Sequence, residues 1–175
     1  MFIALYIIGG IVLLVLLIHL FTNKELNIED TVVINQPIDK VFDYIRHIKN
    51  QDNYSTWNMM DPEMKKEYSG TDGQVGFVYK WDSAKKKNVG AGEQEIKAIV
   101  PNQRVEMELR FLRPMNDVAQ SKMFTESVGP NQTKVKWGFY SKVKFPGTLF
   151  KGAIKGMLTK ALVAGLQNLK KELEK

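Results

Sequence analysis

The chain has 175 residues, no cysteine and a formal net charge of +6. That length can bury a core without disulfides or metals, and the missing thiols exclude a disulfide framework, a cysteine-ligated zinc or iron–sulfur site and a thiol nucleophile. The charge is concentrated at one end: from Lys142 onward there are eight lysines against two glutamates, so residues 22–141 sum to zero.

Residues 1–21 carry no Asp, Glu, Lys or Arg and as a helix span roughly 31 Å, about the hydrocarbon thickness of a bilayer. The segment lacks the basic start and small-residue cleavage site of a secretory leader. It is apolar all round, as a buried surface helix is not, and a membrane helix tolerates Gly9-Gly10. The expectation is a retained transmembrane anchor over 1–21 with His19 at the interface, a short linker over 22–26, and one domain over 27–175 held within about 20 Å of the bilayer. Lys24 and Lys40 follow the segment and nothing basic precedes it, which assigns the domain to the cytoplasmic side by the positive-inside tendency.

Ile28, Val32 and Ile34 recur at the even spacing of a strand that ends at Asn35-Gln36-Pro37. Pro37 suits the first turn of a helix, and Val41, Phe42, Ile45 and Ile48 follow at the three-and-four spacing of an amphipathic one. Residues 50–62 read as a polar, irregular loop carrying Tyr54, Trp57, Met59 and Met60, large side chains suited to capping something. From Glu63 strands alternate with turns at 69–73, 83–88, 100–102 and 129–131, an antiparallel meander. One parity is apolar: Phe77, Tyr79 and Trp81, then Val105, Met107, Leu109 and Phe111, then Val135, Trp137 and Phe139. The other carries Lys80, Asp82, Glu106, Glu108, Arg110, Lys134 and Lys136, the alternation of a sheet with one wet and one covered face. The cover is residues 148–174, which contain no proline and set Phe150, Ile154, Met157, Leu158, Ala161, Leu162, Leu166, Leu169 and Leu173 along one stripe. Gly152, Gly156 and Gly165 each weaken this helix by roughly 1 kcal/mol, so packing on the sheet must hold it.

Trp57, Tyr79, Trp81, Phe111, Phe124 and Trp137 converge on the inner side of the sheet, where they either line a pocket for a hydrophobic ligand or fill the core. Gly90, Gly92, Ala98, Ala153 and Ala161 would leave room there. Enzyme signatures are scarce. His19 lies in the apolar segment and His47 near the end of a surface helix, neither placed to activate a serine. Glu93 and Glu95 share a strand face with Lys97 that is directed at water. The glycines at 70–76 and 90–92 match no phosphate-loop pattern, and no His/Asp/Glu grouping has metal spacing. No catalytic residue, metal or cofactor is therefore assigned. Lys142, Lys144, Lys151, Lys155 and Lys160, mixed with Phe145, Leu149 and Phe150, either press on anionic lipid or form a solvated face. No recognition motif points to nucleic acid.

The order of elements, with a helix opening Pro37-Ile38-Asp39-Lys40-Val41-Phe42-Asp43-Tyr44-Ile45, resembles the START-like or SRPBCC superfamily, of polyketide cyclase/dehydrase and lipid-transport type, over about residues 27–174. The resemblance is carried by Val32-Val33-Ile34-Asn35-Gln36-Pro37, Trp57, Asp61-Pro62, Gly76 with Trp81, and Val89-Gly90-Ala91-Gly92. It continues through Pro101-Asn102-Gln103-Arg104-Val105, Thr133-Lys134-Val135-Lys136-Trp137 and Leu166-Gln167-Asn168-Leu169-Lys170-Lys171-Glu172. An N-terminal membrane helix before such a domain is similar to many bacterial members. The resemblance implies an α+β helix-grip fold, a curved antiparallel sheet wrapped around the C-terminal helix with an apolar cavity between them. The expected function is non-catalytic binding of a small hydrophobic molecule or lipid by a membrane-tethered domain. Trp57, Tyr79, Trp81, Met107, Phe111, Phe124 and Trp137 would form the wall, Gln94 a polar handle, and Met157 and Leu158 the facing wall. The alternatives are a cyclase or dehydratase-like enzyme with Tyr79 as proton donor, and a protein-interaction module whose cavity is filled. Nothing in the sequence assigns an oligomeric state.

Overall fold

A computed structural model describes residues 2–21 and 23–175. Helix α1 (Phe2–Phe21) leads into strand β1 (Glu25–Ile34), helix α2 (Ile38–Arg46), a 3-10 helix (Ile48–Asn53) and the short α3 (Thr56–Met60). Strands β2 (Lys65–Ser69), β3 (Val78–Asp82), β4 (Ala91–Val100), β5 (Arg104–Arg113), β6 (Asp117–Gly129) and β7 (Gln132–Lys142) follow. A second 3-10 helix (Gly147–Phe150) then opens α4 (Lys151–Leu173). The strands form one antiparallel sheet in the order β1-β7-β6-β5-β4-β3-β2. The first strand therefore returns to pair with the last, and the meander fills in between.

The alternation along the strands decides which face is covered. Ile34, Ile96, Val105, Met123 and Val135 are completely buried on the inner face and meet Val41 and Ile45 of α2 and Leu166 and Leu169 of α4 in one cluster. Burying each such aliphatic side chain stabilises the fold by about 1.5–3 kcal/mol. This dense core occupies the end of the sheet where β1 finishes and β7 begins, and α4 runs toward it. The C-terminus of α4 is tied there: Gln36 Nε2 donates to the Leu173 carbonyl (2.7 Å) and the Asn35 amide to the Glu174 carboxylate (2.6 Å). Gly165 is required for this approach, because a Cβ there would lie 2.8 Å from Trp137 Cζ3. The residue that weakens helix propensity is the one that lets the helix close on the sheet.

On the outer face, Arg110 bonds Glu93 (2.6 Å) and Glu95 (2.9 Å) and also pairs with Glu108, so these carboxylates point away from the covered side.

The structure differs from the sequence expectations in four places. The strand expected from residue 27 begins at Glu25, and Leu26 is buried, because the β1–β7 ladder runs on to Lys142 and takes up the end of the expected linker. Residues 50–62 are mostly helical, since a 3-10 turn and α3 roof the inner face. The C-terminal helix starts at Lys151 after a 3-10 turn, leaving Phe150 outside the buried stripe. A further turn, at Pro114-Met115-Asn116, separates β5 from β6. The expected anchor falls partly on residues outside the description, and among the described residues no helix is long and apolar enough to cross a membrane.

Candidate functional site

The other end of the sheet is not filled. Between it and the N-terminal half of α4 lies a cavity of about 630 Å³, within the ~300–1,000 Å³ usual for small-molecule sites. Tyr79 and Trp81 of β3, Gln94 of β4, Phe111 of β5 and Trp137 of β7 form the sheet wall. Met157 and Leu158, joined by Ile154, Ala161 and Leu162, form the helix wall, and Trp57 of α3 with Met64 forms the roof.

The aromatic wall is held by its own contacts. Trp81, Gly92 and Phe111 stand in one row across β3, β4 and β5, and the two rings meet edge to face over the glycine with centroids 6.0 Å apart. Any Cβ at Gly92 would fall 2.6 Å from Trp81 Cζ2, so only glycine lets the indole lie across the sheet. Trp81 Nε1 donates to the Val89 carbonyl (3.2 Å) and Trp137 Nε1 to Ser121 Oγ (2.9 Å). Trp137 is also packed edge-on against Tyr54 at 5.7 Å. With both indole N–H groups satisfied, the rings present apolar faces to the cavity.

The buried polar side chains that line the cavity, Gln51, Ser55, Asn58, Tyr79, Gln94 and Ser121, are all uncharged. Gln94 is buried, and its Nε2 lies 2.8 Å from Met107 Sδ, which leaves the amide oxygen. The Tyr79 hydroxyl is buried with no hydrogen-bond partner among the described residues; burial raises the phenol's pKa above its ordinary value. An unmade buried hydrogen bond costs about 1–3 kcal/mol, so this donor is a place where a ligand oxygen would be stabilised. Among the lining residues the charged ones are Arg113, Asp117 and Lys144, all at the mouth, where Arg113 pairs with Asp82 and Lys144 with Asp117 (3.2 Å). A second hollow, of about 450 Å³ and more open to solvent, lies on the outer face beside Glu25, Asn27, Val118, Gln120, Tyr140 and Lys142.

Two of the expected wall residues lie elsewhere. Met107 is buried one layer deeper, nearer the dense core, where its sulfur also sits 3.7 Å from Gln51 Nε2; it supports Gln94 and does not reach the cavity. Phe124 faces outward, because Ser121, Met123 and Thr125 take the inward parity of β6, and the Lys136 ammonium lies 4.6 Å from its ring centroid. The alternation within residues 121–125 carried that signal. The sequence reading missed Met64, Ser121, Phe139 and Ile154, together with the mouth formed by Pro114, Met115, Phe145 and Pro146. The parity of β6 and β7 could have found Ser121 and Phe139, whereas the mouth depends on two loops meeting in space.

Residues 25–174 match the model of the family described as polyketide cyclase / dehydrase and lipid transport. Among solved structures, the chain is similar to the Zhui aromatase/cyclase from Streptomyces sp. R1128, at 14% identity over 86% of this chain and 94% of that one, with a TM-score of 0.64. It is similar to truncated norcoclaurine synthase from Thalictrum flavum (11% identity, 85% and 92% covered, TM-score 0.63). The Aha1 dimer from Colwellia psychrerythraea is a third (18% identity, 85% and 96% covered, TM-score 0.58). At these identities the likeness speaks for the fold alone. No curated protein sequence matches the chain.

Proposed function

The chain belongs to the polyketide cyclase/dehydrase and lipid-transport family, and from that premise we propose that it is a membrane-tethered domain that binds a small hydrophobic molecule or lipid without catalysing a reaction of its own. The observation that carries this reading is the 630 Å³ cavity, walled by Trp57, Trp81, Phe111, Trp137 and the aliphatic face of α4, with its charges confined to the mouth. Such a lining favours a guest by removing apolar surface from water and disfavours a charged one, which would be desolvated without a buried partner. The guest carries one hydrogen-bond acceptor, met by the Tyr79 hydroxyl. The tether rests on sequence: residues 1–21 contain no charge and as a helix would extend about 31 Å. On the positive-inside argument the domain lies on the cytoplasmic side.

A cyclase or dehydratase-like reading would use Tyr79 as a proton donor. Burial speaks against it, because a phenol with a raised pKa holds its proton more tightly, and every tenfold loss of acidity makes deprotonation costlier by about 1.4 kcal/mol. Donating a hydrogen bond is the chemistry that suits this group.

The test is native mass spectrometry with organic extraction of a chain starting at Asn23, after circular dichroism has established that it is folded. The expected result is a co-purifying apolar molecule at near one per chain. An apo mass, with no apolar compound raising the melting temperature, would overturn the proposal and turn attention to a protein-interaction role.

A further inference from the structure

The cavity opens beside the point where α1 meets the domain. Leu26, which lines it, is five residues beyond Phe21, the last residue of α1, so the helix end lies within about 18 Å of the cavity wall. Residues 23–24 are held against the domain. The Val143 amide donates to the Lys24 carbonyl (2.8 Å) and Lys151 Nζ to the Asn23 carbonyl (2.6 Å), which fastens residues 23–24 to the two segments that form one side of the mouth.

The rim has the surface of a membrane-contacting element. Met115 on the β5–β6 turn is 62% exposed, and Phe145 and Phe150 on the β7–α4 connection are 54% and 63% exposed. Met157, on the outer edge of the helix wall, is also exposed. Single exposed apolar side chains are ordinary, but several around one opening mark an interaction surface. Lys144, which pairs with Asp117, lies at the mouth, and Lys142, Lys151 and Lys155 lie on the same stretch of chain, where no acidic residue occurs from 142 to 171. Exposed apolar side chains on a lysine-rich stretch of chain suit the interface of a leaflet with anionic headgroups, where the rings enter the acyl boundary and the ammonium groups stay at the phosphates.

We propose that this rim docks on the bilayer that α1 enters, so that the mouth opens onto the lipid and the guest passes between acyl chains and cavity without crossing water. The inference rests on the tethered-binder reading and adds the occupant of the rim. The hydrogen bonds at residues 23–24 keep the start of the domain beside the mouth.

The absence of native cysteine permits a direct test on the full chain. Met115→Cys, Phe145→Cys and, at the far end of β6, Val128→Cys would each carry one environment-sensitive label. The variants are placed in nanodiscs of phosphatidylcholine, with or without phosphatidylglycerol, that contain lipids bearing a nitroxide on the acyl chain. Labels at 115 and 145 are expected to be quenched several-fold more than the label at 128, and more strongly when phosphatidylglycerol is present. Lys142→Glu with Lys155→Glu should remove that dependence on anionic lipid. Equal quenching at the three positions, in a chain that resists alkaline carbonate extraction, would overturn the docked mouth and leave the tether standing. Extraction by carbonate would overturn the tether and the inference with it.

Discussion

The two halves of α4 do opposite things with the same amphipathic pattern. In the C-terminal half, Leu166, Leu169 and Leu173 enter a core of fully buried aliphatic side chains, closed by α2 and by a glycine that lets Trp137 touch the helix. In the N-terminal half, Ile154, Met157 and Leu158 face a cavity, and Gly152 and Gly156 have nothing within 4 Å of where a side chain would begin. A helix that packed along its whole length would be more stable and would hold nothing. The stability of this fold is therefore concentrated at one end, and its capacity to bind at the other.

The sharpest way to break this comparison is to truncate one leucine from each half. Leu169→Ala should cost about 2–5 kcal/mol, the range for opening a cavity in a packed core, whereas Leu158→Ala, half-buried between the cavity and the small cluster of Leu26, Ile28 and Val143, should cost less, about 1–2 kcal/mol. Urea denaturation of both variants would reveal the difference, and equal losses would mean the cavity end is packed. Next come the glycines. Gly165→Ala is expected to lose about 1–3 kcal/mol through overpacking against Trp137, while Gly156→Ala, with open space around it, should gain up to about 1 kcal/mol from helix propensity. Opposite shifts in melting temperature would confirm that Gly165 faces the sheet and Gly156 the solvent.

A smaller effect separates the two orphaned hydroxyls. Tyr79 lines the cavity and Thr125 lies on the inner face nearer the dense core; both hydroxyls are buried without a partner among the described residues. Tyr79→Phe and Thr125→Val should each leave the unliganded protein as stable or more stable by about 1 kcal/mol. Only Tyr79→Phe should weaken ligand binding, by roughly the fivefold to tenfold of one neutral hydrogen bond. Isothermal titration with the extracted guest, paired with denaturation, would test this; unchanged affinity would take the hydroxyl out of the site.

The smallest effect is on the outer face. The hydrogen bond from Arg110, then that from Lys97, holds the Glu95 carboxyl below the usual carboxylate range. A depressed folded pKa contributes stability that is present above the unfolded value, about 4.3, and is lost as pH falls through the folded value. Denaturation midpoints should thus hold steady from neutrality to about pH 5 and decline below about pH 4, with a shallower decline in Glu95→Gln. The pair is exposed enough that its contribution is small.

Much of this was legible from residue order. The antiparallel strands after Glu63, the helix after Pro37 and the covering helix follow from periods of two and of three to four in apolar residues. The inward parity of Tyr79, Trp81, Phe111 and Trp137 follows from the same alternation. Phe124 was misjudged by weighing its aromatic character above its position between Met123 and Thr125. Met107 had the right face but the wrong end of the strand, which no periodicity reports. The helical roof at 48–60 was obscured because two short turns are too brief to show a repeat.

By itself, then, the sequence determined the strands of the meander, the two longer helices of the domain, the covered face of the sheet, the charge-free N-terminal segment and the family. Tertiary structure alone decided that the inner face is half core and half cavity, that Gly92 and Gly165 mark the close approaches beside it, and that the mouth lies next to the end of α1. The reason is physical: alternation and helical period act over a few residues and choose a side. Whether that side is filled depends on the summed volumes of side chains brought from α2, α3, α4 and seven strands, which meet only when the chain has folded.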